Sequence, residues 1–241
     1  MSLRSLTARH RDILLVVLTL TTGTLDAVTF VRLGKVFSSV ITGNLALLGI
    51  AAGQRSASLA LNAGLSLAGY AVGVVAASLV AGTPEQGQPA WPPHVTRALA
   101  AETAVLAAFS GEWLADGANP AGGSRLALLI LAGVAMGMQS ATIRRLGQMS
   151  TTYLTSTLTA VITDLALRRR PADGVRSSGI LLAFVIGAAA GTLIALHAPY
   201  WVPAPVLIPI AVVLAGSLIL PAGPRISGDV SLEADISAED I

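Results

Sequence analysis

GTLDAVTFVRLGKVFSSVITGNLALLG, residues 23–49, decides the fold. It sets a carboxylate, Asp26, in an apolar run, turns at Arg32-Leu33-Gly34-Lys35, and re-enters apolar sequence carrying Thr42, Gly43 and Asn44. A weaker copy, GMQSATIRRLGQMSTTYLTSTLTAV, occupies residues 137–161. At one offset Arg32 aligns with Arg145, Leu33-Gly34 with Leu146-Gly147, Thr42 with Thr155 and Leu45 with Leu158. A one-residue slip upstream pairs Gly23 with Gly137, Asp26 with Ser140 and Ala27 with Ala141. The chain therefore reads as a duplicated unit.

Composition says where that unit resides. Charged residues are 12% of the 241, about half the globular norm, and apolar residues are 54%. Mean hydropathy is +0.74. Such a chain has too little polar sequence to cover a water-facing surface, so an all-α, polytopic helical membrane protein is expected. There is no cysteine, which excludes disulfides and thiolate metal sites. The basic residues are nearly all Arg and sit singly or in short groups at span ends, a pattern that argues against nucleic-acid binding.

Residues 1–12 form a polar N-terminal segment, followed by eight apolar runs at about 13–33, 36–53, 57–80, 96–114, 126–143, 151–167, 179–197 and 202–220. These divide into a first membrane repeat, 13–114, and a second, 115–220. Residues 221–241 are acidic, without apolar periodicity, and read as a disordered tail. The third run of each half carries a close-packing pair, Gly69 with Gly73 and Gly187 with Gly191. Such faces would serve a homo-oligomer as well as they would join the halves.

The arginines orient the chain. With eight spans and both termini cytoplasmic, ten of the fifteen basic residues lie inside, and Arg32, Lys35, Arg97, Arg144 and Arg145 lie outside. Four spans per half make the repeats tandem and parallel. Were the first hairpin of each half re-entrant, the count would fall to six, and the repeats are still expected to run parallel.

The chemistry concentrates in the opening motif. A carboxylate about two turns inside a span needs a partner, a cavity or water. Asp26 is therefore a substrate or cation ligand or a proton carrier, or else it pairs with an arginine or caps a broken helix. Asn44 can donate and accept, Gly43 allows an unwound backbone, and Thr42 adds a hydroxyl; interhelical hydrogen bonding is the alternative role for all three. In the copy, Gln139 and Ser140 take the place of the Asp26 region and Thr155 that of Thr42, so the second half is polar but uncharged. Glu102, about two turns into the fourth run, is a second candidate carboxylate. No catalytic motif, cofactor motif or metal-ligand spacing is found, since His10, His94 and His197 are scattered.

At Leu25-Asp26-Ala27, Leu33-Gly34-x-Val36-Phe37 and Thr42-Gly43-Asn44 the chain resembles the YoaK-like family of bacterial integral membrane proteins. Gly137-Met138-Gln139, Arg144-Arg145 and Thr151, Thr152, Thr155 and Thr157 agree with it. Ser140 departs from the asparagine expected there, which weakens it as a ligand. The resemblance implies an inner-membrane protein of a domain of unknown function, some of whose members carry the label of predicted small-molecule permease. The expected function is a secondary transporter for a small polar solute, proton- or cation-coupled. The alternatives are a non-transporting structural or regulatory membrane protein and, third, an intramembrane enzyme. The expected partners are the lipid bilayer and the solute.

Overall fold

The computed structural model describes residues 3–81, 91–146, 154–167 and 174–219, and every regular element among them is helical. The helices are α1 (Leu3–Val28), α2 (Ile41–Gln54), α3 (Ala57–Ala81), α4 (Pro93–Ala115), α5 (Gly122–Arg144), α6 (Leu154–Ala166), α7 (Gly174–His197) and α8 (Pro203–Ile219). The last turns of α1 widen into a π-helical stretch, Thr29–Gly34, and a 3-10 turn, Pro199–Trp201, joins α7 to α8. α1 begins at Leu3, so the described part of the polar N-terminal segment is the start of that helix. The acidic tail, 221–241, lies outside the described residues.

Five helices, α1, α3, α5, α7 and α8, are long and apolar enough to cross a membrane. α4 is as long as α5 but holds Arg97, Glu102 and Glu112. Its apolar stripe, Val95, Leu99, Leu106, Phe109 and Trp113, is buried against α5 and α8. That spacing of three and four residues is the periodicity of one helix face.

Helix directions follow from the glycines. α1 runs alongside α7: Leu20 faces Gly187, Thr24 faces Gly191, and Gly23 faces Phe184 and Ala188. Numbers rise together, so the two are parallel. α3 runs parallel to α5 in the same way, with Gly69 on Ile130 and Gly73 on Val134. A β-carbon on Gly69 would lie 2.6 Å from the Ile130 carbonyl oxygen, and one on Gly133 would lie 2.6 Å from that of Ser66. Only a residue without a side chain lets the backbones meet.

The ends then fall into place. One end of the bundle, the near end, holds Asp12 with Arg176 at 3.6 Å, and Thr96 with Ser217 at 3.4 Å. The far end holds Arg32. Its guanidinium donates to the carbonyls of Ala195 (2.8 Å) and Ala118 (3.3 Å) and to Asn119 Oδ1 (3.0 Å), and lies 6.0 Å from the Trp113 ring centroid. Trp113 Nε1 donates to the Pro199 carbonyl at 2.8 Å. So α1, α4 and α7 run from near to far, and α3, α5 and α8 run back.

Two of the eight expected spans are therefore not spans. α1 ends and α3 begins at the far end, where Asn62 Nδ2 donates to the Gly34 carbonyl (3.3 Å). α2 lies between them. Its 14 residues rise about 21 Å, short of a hydrocarbon core of about 30 Å. The chain enters through irregular residues after Lys35, bending at Ser38 and Ser39, and leaves as α2, on the side it came from. α6, with 13 residues, lies between α5 and α7, which end and begin at the near end, and is also too short to cross. Six helices run the length of the bundle, the number named above as the alternative, but there the whole first hairpin of each half was expected to dip, whereas here α1 and α5 run end to end and only α2 and α6 are short. The expected parallel repeat is corrected: each half has three crossing helices, an odd number, so α5 starts at the far end and the halves are inverted.

Candidate functional site

Where the chain re-enters after Lys35, residues 38 and 39 present backbone N–H groups inside the bundle, where an unpaired donor is costly. Asp26 satisfies them. Its Oδ1 accepts from Ser38 N (2.8 Å), Ser39 N (2.7 Å) and Ser38 Oγ (2.8 Å), and its Oδ2 accepts from Ser39 Oγ (2.5 Å). The carboxylate sits just before the first turn of α2, where the helix dipole favours negative charge. Asp26 is buried, and Arg32 bonds elsewhere. Asp26 therefore holds the turn at Ser38 and Ser39 that leads into α2; among the described residues it pairs with no arginine, and α2 itself has no side-chain cap.

Asn44 completes the turn. Its Oδ1 accepts from Phe37 N (2.9 Å), and its Nδ2 donates to the Phe37 carbonyl (2.6 Å) and to Ser66 Oγ on α3 (3.1 Å). Ser66 Oγ donates to the same Phe37 carbonyl at 2.6 Å. Gly43 lies under Val40 and Phe37; a β-carbon there would be 3.2 Å from Val40 Cγ1. Thr42 is exposed on the opposite face of α2, away from Asp26.

In the second half, Gln139 Nε2 donates to Thr22 Oγ1 on α1 at 2.8 Å. Thr22 is four residues before Asp26 and so on the same face of α1. A continuous buried polar band results, from Gln139 through Thr22, Asp26, Ser38 and Ser39 to Asn44 and Ser66. Ser140 is buried on α5, and Thr155 is exposed, as Thr42 is. The structure thus gathers Asp26, Asn44, Gly43 and Gln139 and leaves Thr42 and Thr155 outside. Glu102 is fully buried on α4, and neither of its oxygens has a hydrogen-bond partner among the described residues.

Sequence reading missed Thr22, Ser38, Ser39 and Ser66. Two signals pointed to them: a serine pair directly after the motif's turn, and a threonine at the i−4 position from the carboxylate. Among the described residues no group of His, Asp or Glu is assembled that could hold a metal ion.

Comparison with known proteins agrees with this architecture at the level of family. A family model described as "Protein of unknown function (DUF1275)" matches residues 14–220. The chain is 30% identical over 235 residues to the UPF0700 transmembrane protein YoaK of Bacillus subtilis, covering 92% of this chain and 98% of that protein. No solved structure matches. The chain belongs to the DUF1275 family and is a membrane protein.

Proposed function

We propose that this family member is a secondary transporter for a small polar solute, with no catalytic role, in a bacterial inner membrane. The observation that carries the reading is the inverted pair of three-helix units, each interrupted by a half-length re-entrant helix. Inverted repeats with discontinuous helices converging on a polar midplane are the architecture of alternating access. The solute path runs along the buried polar band. Asp26 and Asn44 hold the re-entrant turn in shape, and Gln139 with Thr22 lies across from it.

Charge gives the orientation. Among the described residues, assigned by the helix end that each adjoins in sequence, Arg4, Arg9, Arg11, Arg97, Arg144, Arg145 and Arg176 belong to the near end. Arg32, Lys35, Arg55 and Arg125 belong to the far end. Seven of these eleven favours a cytoplasmic near end, with the N-terminus inside.

A specific observation favours a second reading, a structural or regulatory membrane protein: every oxygen of Asp26 is already bonded within its own turn. Single cysteines separate the two, because the chain has none of its own. Cysteines at Thr22, Ser66 and Gln139 should react with a membrane-impermeant thiol reagent, and a solute found by thermal-shift screening should protect them. A solute at about 100 times its Kd adds about 2.7 kcal/mol to the folded state. No labelling at these depths from either side, and no stabilising solute, would sink the transport reading.

A further inference from the structure

We propose that Glu102 is a proton-binding site at mid-depth in the bundle, occupied when the helices are packed as they are here. The site lies on α4 between two fixed points. Thr96, bonded to Ser217, is six residues away, and Trp113, bonded to Pro199, is eleven away. At 1.5 Å per residue Glu102 lies about 9 Å from one and about 16 Å from the other. Its side chain is fully buried, and both carboxyl oxygens lack a hydrogen-bond partner among the described residues.

The surrounding helices offer no countercharge. α4 packs against α5, α8 and α3. α8 has no ionisable side chain, α3 has only Tyr70, and α5 has none between Arg125 and Arg144. On α4 itself, Arg97 is exposed and about 140° round the helix from Glu102, His94 is in the first turn, and Glu112 is about 15 Å further on. The nearest carboxylate on α1, Asp26, is held by Ser38 and Ser39. An ionised carboxylate without a partner in such surroundings is strongly disfavoured. A metal cation would need several oxygen ligands. Among the described residues no group of His, Asp or Glu is assembled that could supply them. A proton needs one oxygen, so the proton is the ligand that fits.

This site does not depend on the transport reading; a non-transporting protein could also carry it. Infrared difference spectroscopy of the full chain in lipid nanodiscs, Glu102→Gln against wild type at neutral pH, tests it. The carbonyl stretch of a protonated carboxylic acid should be present in wild type, shift in heavy water, vanish in Glu102→Gln and persist in Asp26→Asn. Because glutamine is the neutral isostere, Glu102→Gln should also unfold at the wild-type temperature or above. Absence of the band in wild type, its persistence in Glu102→Gln, or a variant that unfolds well below wild type would each overturn the proposal.

Discussion

α2 and α6 are the same device built twice. Asn44 and Thr157 are buried at equivalent positions, whereas Thr42 and Thr155, and Leu45 and Leu158, face outward. Yet the helix before α2 carries a carboxylate that four donors grip, and the helix before α6 carries Ser140 at the matching place. Duplication has kept the exposure pattern, which packing enforces, and let the polar chemistry diverge. The charged half has its turn fixed by strong, charge-assisted bonds; its counterpart has no ionisable group at that position.

The sharpest way to break this comparison is to remove the carboxylate. Asp26→Ala strands two backbone and two hydroxyl donors and should destabilise the protein by about 4 kcal/mol, whereas Ser140→Ala should cost about 1 kcal/mol. SDS titration in mixed micelles measures both, and equal losses would mean that the halves are not differently held. The glycine seams come next. A β-carbon on Gly73 would overlap the Val134 carbonyl, and one on Gly191 would stand 2.9 Å from that of Thr24. Gly73→Ala should therefore lose about 2–3 kcal/mol, despite the gain in helix propensity, and Gly191→Ala about 1 kcal/mol. Unfolding midpoints in the reverse order would show that the α1–α7 seam is the tighter one. Asn44→Ala removes the bonds to Phe37 and Ser66 and should cost about 2 kcal/mol, and a double-mutant cycle with Ser66→Ala should show coupling of about 1 kcal/mol. At the bottom of the scale, Thr42→Val and Thr155→Val, both on outward faces, should stay within about 0.5 kcal/mol of wild type.

The six long helices were legible because each is a long apolar run, α4 included despite its three charges. The re-entrant helices were not. Residues 36–53 form a run of span length, and nothing in hydropathy says that its first five residues are irregular and leave only a short helix. The symmetry was missed on both counts considered, because the first and second runs were taken either to cross together or to dip together; with α1 long and only α2 short, each half holds an odd number of spans. Asp26 was recognised as a residue that must be satisfied. What satisfies it was hidden, because the donors are mainly the backbone and hydroxyls of Ser38 and Ser39, which any local sequence possesses and only the fold can aim. Glu102 was legible as a buried carboxylate, but its isolation depends on which helices enclose it.

The crossed seams have a consequence for how the molecule is made. α1 belongs to one half and its chief partner, α7, to the other; Leu20 meets Gly187. Translation delivers α1 to the bilayer long before the residues that cover its small-residue face exist. α3 waits less, for α5. The first half therefore enters the membrane as an open form, and assembly is completed only as the last quarter of the chain arrives. Such long-range closure is slow and leaves the intermediate exposed to wrong partners. A premature stop before α7 would leave α1 unpaired rather than produce a smaller working unit.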